Sequence, residues 1–137
     1  MNASASRIEP RSDLRETFEQ CTLPPADFSH RNHLALGWSY LREYGFPEGA
    51  VRFRERLKAY VAAVGANAKF HETITWAYLI LLNEEMTLRS SPGESFDSMI
   101  QRRADLLDHR SGALAGCYPR EQLDSDPARR VLMLPRR

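Results

Sequence analysis

Apolar residues recur along this chain at intervals of three and four, the spacing that lines one face of an α-helix. The first such segment, Asp13 to Gln20, places Leu14, Phe18 and the following Cys21 on one face, with Asp13 positioned to cap it. Pro24 and Pro25 fix φ and remove backbone donors, so Thr22 to Asp27 reads as a rigid loop. The second segment, Ser29 to Tyr44, carries the stripe His33, Leu34, Gly37, Trp38, Leu41 and Tyr44. Ser29 or Asp27 is its N-cap, and Gly45 is placed to stop it in a left-handed conformation. Pro47 suits the first turn of a third helix, Pro47 to Val64, whose apolar face opposes a charged one and which Gly65 ends. The fourth, His71 to Thr87, is apolar almost all round and is expected at the centre of the domain. Ser95 caps a fifth, Phe96 to about Ala104. Pro119 to Leu123 adds a helical turn, and Val131 to Arg137 reads as an extended tail lying on the bundle. No stretch sustains the alternation of a strand.

The pattern predicts an all-α fold, a compact antiparallel bundle of four to five helices. Residues 13–137 form a single helical domain behind a flexible leader, residues 1–12. Short connections make the second, third and fourth helices antiparallel neighbours in sequence. The second and fourth therefore run parallel, with their N-termini at the same end.

Composition narrows the partners. The 19 basic residues balance 18 acidic ones to a net charge of +1, so no broad field draws the chain to nucleic acid or a membrane. The longest apolar run, Ala77 to Leu82, is far too short to span a bilayer, and no apolar signal region is visible near Met1. Cys21 and Cys117 lie far apart and outside any C-x-x-C pattern, as expected for reduced thiols in a cytoplasmic protein.

The candidate chemistry lies in the histidines. His30 and His33 open the second helix in Phe28-Ser29-His30-Arg31-Asn32-His33-Leu34, and His71 opens the fourth in Phe70-His71-Glu72-Thr73-Ile74-Thr75. Residues three apart share a helix face, roughly 5–6 Å between Cβ atoms, so His30 and His33 can point two imidazoles at one ion. If the two N-termini meet, His71 joins them. Glu72 follows His71 at about 100° around the helix; it is a fourth ligand, a general base on metal-bound water, or an outer partner holding an imidazole. Three protein ligands with an open position mark a catalytic rather than a structural site. The plainer alternative is that histidines at helix starts cap neighbours or bond backbone groups. His109 reads as a surface loop residue, with Asp105 and Asp108 ahead of it as the lesser argument for a place in the site. Phe28, Trp38, Phe70, Trp76 and Tyr78 can wall a substrate pocket, with Thr75 at hand for hydrogen bonding, although aromatics at helical spacing also build cores.

Absent motifs sharpen this. There is no phosphate-binding glycine loop and no nucleophile elbow. His71-Glu72 is followed by Thr75 where a zincin's second histidine would fall, and the E-x-x-H pairs of di-iron bundles are missing.

The runs F-S-H-R-N-H-L and K-F-H-E-T-I-T-W, with the later D-L-L-D, resemble a family of small, largely uncharacterised bacterial all-α proteins over roughly residues 14 to 134. That resemblance implies that the two histidine motifs belong together. It carries no activity with it. The expectation is therefore a mononuclear metal-dependent enzyme with His30, His33, His71 and Glu72 as ligands, Glu72 also serving catalysis. One transition-metal ion, iron, copper, nickel or zinc, would act on a small organic substrate held by Trp38, Phe70, Thr75 and Trp76, with a lean toward oxidation. The rival is a non-catalytic helical module that binds metal, a small molecule or a protein.

Overall fold

The computed structural model describes residues 10–109 and 112–136. Among these are seven α-helices and no strand: α1 (Pro10–Glu19), α2 (His30–Tyr44), α3 (Glu48–Ala63), α4 (Glu72–Leu88), α5 (Phe96–Arg102), α6 (Arg120–Leu123) and α7 (Asp126–Arg130). The chain is the all-α bundle its periodicity predicts. Four expected helices keep their places within a residue or two. α1 starts three residues earlier than expected, at Pro10, which puts Asp13 in its first turn instead of at its cap. Proline suits a helix start because it has no N–H to leave unpaired. The tail of the expected leader is thus helical, and residues 1–9 lie outside the described residues.

Serines set several helix starts. Ser29 Oγ accepts from Asn32 N–H at 3.1 Å, and Ser95 Oγ accepts from Ser98 N–H at the same distance. Ser125 Oγ accepts from Ala128 N–H to begin α7, a helix the periodicity does not reveal because Ala128 is its single buried residue. α5 stops at Arg102, and Ala104–Leu107 continues as a 3-10 turn.

α2 is the helix most enclosed by others. It touches α1, α3, α4 and α5, and Leu34 through Trp38, Tyr40 and Leu41 are all buried. α4, expected at the centre, buries most of its length but exposes Leu88 at 69%. Glycine permits the α2–α3 approach: a Cβ on Gly49 would lie 2.4 Å from the Tyr40 carbonyl oxygen. A Cβ on Gly37 would meet Leu79 and Leu82 of α4 at 3.3 Å. Gly37 lies seven residues into α2, and Leu79 seven residues into α4. The helices thus touch near their midpoints, and because the first turn of each, with His30 and His33 on α2 and Ile74 and Thr75 on α4, lines the same cavity, both N-termini lie at one end of the bundle and the two run parallel.

At the other end, the fully buried Glu85 of α4 receives Arg102, Arg103 and Arg89. Arg102 also pairs with Glu94, and Arg103 with Asp105. Burial acts to raise the Glu85 carboxyl, but hydrogen bonds from Arg102 and Arg103 outweigh it and hold the group below its ordinary value. This network fastens α5 and the turn after it to α4.

The C-terminal segment is extended, as expected, and is held by its backbone. Thr73 Oγ1 donates to the Val131 carbonyl at 2.8 Å and accepts from Met133 N–H at 3.1 Å. Tyr118 OH donates to the Met133 carbonyl. The Gln122 amide donates to Leu134 O and accepts from Arg136 N–H. No described helix is long and apolar enough to cross a membrane. Both cysteines are free thiols.

Candidate functional site: a histidine-lined cavity

The parallel placement of α2 and α4 brings their first turns to one cavity of about 320 Å³. His30 and His33 reach it from α2, and His71, Ile74 and Thr75 from the start of α4. Leu57, Tyr60 and Val61 come from the last turns of α3 and Val64 from its C-cap, as an antiparallel neighbour requires. Phe28 and Phe70, each just ahead of a histidine motif, also line it. The fourth histidine, His109, completes the set.

The four imidazoles differ in what holds them. His71 caps α4: its Nδ1 accepts from Ile74 N–H at 3.1 Å. Its Nε2 lies 2.7 Å from the Leu123 carbonyl and must donate to it. Both ring nitrogens are thus committed, and the ring is held as the Nε2–H tautomer. His30 donates from Nε2 to the Leu106 carbonyl at 2.9 Å, which leaves Nδ1 with its lone pair. Its ring lies 4.8 Å from that of His109 and edge-on to Tyr78 at 5.0 Å, centroid to centroid. Burial lowers the His30 pKa, against the raising effect of the Leu106 bond, and the neighbouring His109 charge adds to the lowering.

His33 makes no side-chain hydrogen bond to the described residues. Its ring stacks on Phe28 at 5.3 Å and leans on Phe53 at 5.4 Å. Burial pushes its pKa down to about 4, and the charges of His30 and His109 push the same way. The imidazole is therefore neutral near pH 7, the form in which it binds a metal.

Glu72 is not at the cavity. Its carboxylate faces α3, where Arg54 binds both oxygens, and Trp76 Nε1 donates to Oε2 at 2.9 Å. The Arg54 hydrogen bond is the main reason the Glu72 pKa is lowered. The rotation of about 100° per residue explains the outcome: with His71 turned to the cavity, Glu72 turns to Arg54 of α3.

Of the four residues expected to form the substrate pocket, Phe70 and Thr75 line the cavity. Trp38 and Trp76 do not. Trp38 is a buried core residue lining a separate groove between α1 and α2, and its Nε1 has no partner among the described residues. Trp76 packs edge-on to Phe46 and serves Glu72. His109, read from sequence as a surface loop residue, is exposed and yet lines both this cavity and a neighbouring one of about 380 Å³. Its local sequence offers only the preceding Asp105 and Asp108 as a signal, because it reaches the site from a turn and not from a periodic helix. Tyr78 stacks over His109 at 6.2 Å, and its buried hydroxyl has no hydrogen-bond partner among the described residues. Burial, with the nearby Asp108 charge, pushes that hydroxyl up to about 12.

Among the described residues, no group of three or more His, Cys, Asp or Glu side chains is drawn close enough to hold a metal ion in this conformation. No family model, no curated protein and no solved structure matches the chain.

Proposed function

We propose that this protein is a mononuclear metal-dependent enzyme acting on a small organic molecule bound in the histidine cavity. One observation carries the reading: among the described residues no hydrogen bond uses the lone pair of His33 or of His30 Nδ1, and both histidines line, with His109, a cavity walled largely by apolar and aromatic groups. Imidazoles that keep a lone pair toward a largely apolar space are the raw material of an open, nitrogen-ligated site. The ligand set on this reading is His30, His33 and His109. His71 joins it only by giving up the α4 cap, because Nδ1 carries its lone pair while Nε2–H can keep the Leu123 bond, and Glu72 only by leaving Arg54.

Nitrogen ligands without thiolate suit iron, copper, nickel or zinc. A redox metal would turn the site to oxidation of the bound molecule, and zinc would turn it to hydrolysis or transfer. The chain's own part is to bind and orient the molecule between Phe28, Phe70 and Leu57 and to exclude water around it.

A second reading is a metal-free binding module, favoured by the two bonds of His71 and the His30–Leu106 bond. Elemental analysis of untagged protein separates the two. The enzyme reading expects about one metal ion per chain, lost in His33→Ala and His109→Ala and retained in His71→Ala. Absence of metal after anaerobic reconstitution with iron, copper, nickel and zinc would refute it and leave the binding module.

A further inference from the structure

The charges around the cavity point to the class of molecule it takes. No aspartate or glutamate is among the described residues that line it, although the chain has 18 of them. Glu72, the acidic residue closest to the histidine motif, is turned into Arg54. What lines the cavity besides apolar groups is Lys69, two hydroxyl side chains, Tyr60 and the four histidines.

The lysines are unusual in their placing. Of the 19 basic residues only two are lysines, Lys58 and Lys69. Lys69 lines the cavity, and Lys58 Nζ lies 5.6 Å from the ring centroid of Phe70, which also lines it. Many of the arginines are consumed in ion pairs, among them Arg15, Arg31, Arg54, Arg102 and Arg103. Neither lysine makes an ion pair with a described residue. Lys58 feels the Glu72 charge, but both Glu72 oxygens are already bonded by Arg54. Two exposed lysines, neither in an ion pair with a described residue, therefore lie at one aromatic wall of a cavity with no acidic side chain among its described lining residues.

We propose that the cavity takes a small molecule with a flat apolar body and a carboxylate, the body lying among Phe28, Phe70, Leu57 and Ile74 and the carboxylate meeting Lys69 and Lys58 at the Phe70 rim. The inference rests on reading this cavity as the working site, but not on a metal being there. An ammonium group gives a carboxylate a charge-assisted hydrogen bond that a neutral amide of the same shape forgoes. A volume of about 320 Å³ lies at the lower end of the range for ligand pockets and suits one small ring system.

The test is calorimetric titration of the full chain, stripped of metal by a chelator, with phenylacetate and with its neutral isostere phenylacetamide. Phenylacetate should bind about ten-fold more tightly, the worth of one hydrogen bond to a charged group. The preference should fall in Lys69→Gln, return in Lys69→Arg, and vanish in the Lys58→Gln/Lys69→Gln pair. Both lysines are exposed, so these variants should keep the far-UV spectrum of the parent. The ring proton resonances of His30, His33 and His71 should move on titration, placing the probe in the cavity. Equal binding of the two probes, preference for the amide, or no binding of either would overturn the proposal. So would a preference that survives in the double variant, or one that leaves the histidine resonances in place. A metal-free protein that discriminates the probes but never takes up metal keeps this inference and loses the metalloenzyme reading. Metal uptake without discrimination does the reverse.

Discussion

Replacing His71 by alanine separates a structural histidine from a ligand. The side chain makes two hydrogen bonds, one accepting from Ile74 N–H at the start of α4 and one donating to Leu123 O. Loss of an N-cap costs about 1 kcal/mol. Loss of the bond to Leu123 costs about another 1 kcal/mol, more if the carbonyl is left dry. The two act on different segments, so their effects should sum to about 2 kcal/mol in His71→Ala. With a urea dependence of about 2 kcal/mol per molar, the unfolding midpoint should fall by about 1 M. His71→Asn can still accept from Ile74 N–H as a cap but is too short to reach Leu123, so it should recover about half of the loss. The assay is urea unfolding followed by far-UV circular dichroism on protein stripped of metal. Unchanged stability in His71→Ala, together with metal loss as complete as in His33→Ala, would refute the assignment of His71 to capping and restore it to the ligand set.

The other predictions concern charge. In metal-free protein the His33 pKa is about 4 against an ordinary value of 6.5, so the unfolded chain binds a proton that the native state refuses. Stability should therefore fall as pH drops through this window, by about 3 kcal/mol in all, and His33→Leu should flatten that slope in urea midpoints taken at intervals of pH. Burial lowers His30 in the same direction, whereas the depressed carboxyls of Glu72 and Glu85 contribute stability that is present above 4.5 and lost only below that value. Glu85→Ala should cost about 3 kcal/mol, near the lower end for breaking a buried pair, because Arg102 and Arg103 keep Glu94 and Asp105. A loss below about 1 kcal/mol by thermal unfolding would show that the network is not what fastens α5.

The legible part of this chain is its helices and the end at which they meet. The parallel run of α2 and α4 follows from short connections and apolar stripes, and it is enough to place His30, His33 and His71 around one space. What the sequence leaves open is side-chain direction at the helix starts. His71 and Glu72 are adjacent, and whichever residue caps the helix sends the other to a different neighbour; the cap went to His71 because its Nδ1 reaches Ile74 N–H, and Arg54 on α3 took Glu72. The tryptophans mislead for a related reason: Trp38 lies two turns along α2, well past the end where the cavity opens. His109 and α7 lack periodicity and depend on contacts made by turns, which only tertiary packing decides.

The extended C-terminal segment behaves as a strand without a sheet, with Thr73, Tyr118 and Gln122 standing where a neighbouring strand's backbone would be. Those three side chains grip only carbonyls and N–H groups, while Val131, Leu132 and Leu134 stay largely in solvent. The identity of the side chains there is thus almost free to drift, since nothing in the grip reads them. Proline is the exception: at 133 or 136 it deletes the very N–H that Thr73 or Gln122 accepts. A library randomised over these positions should tolerate every other residue, and the gaps in it would trace the grip one backbone atom at a time.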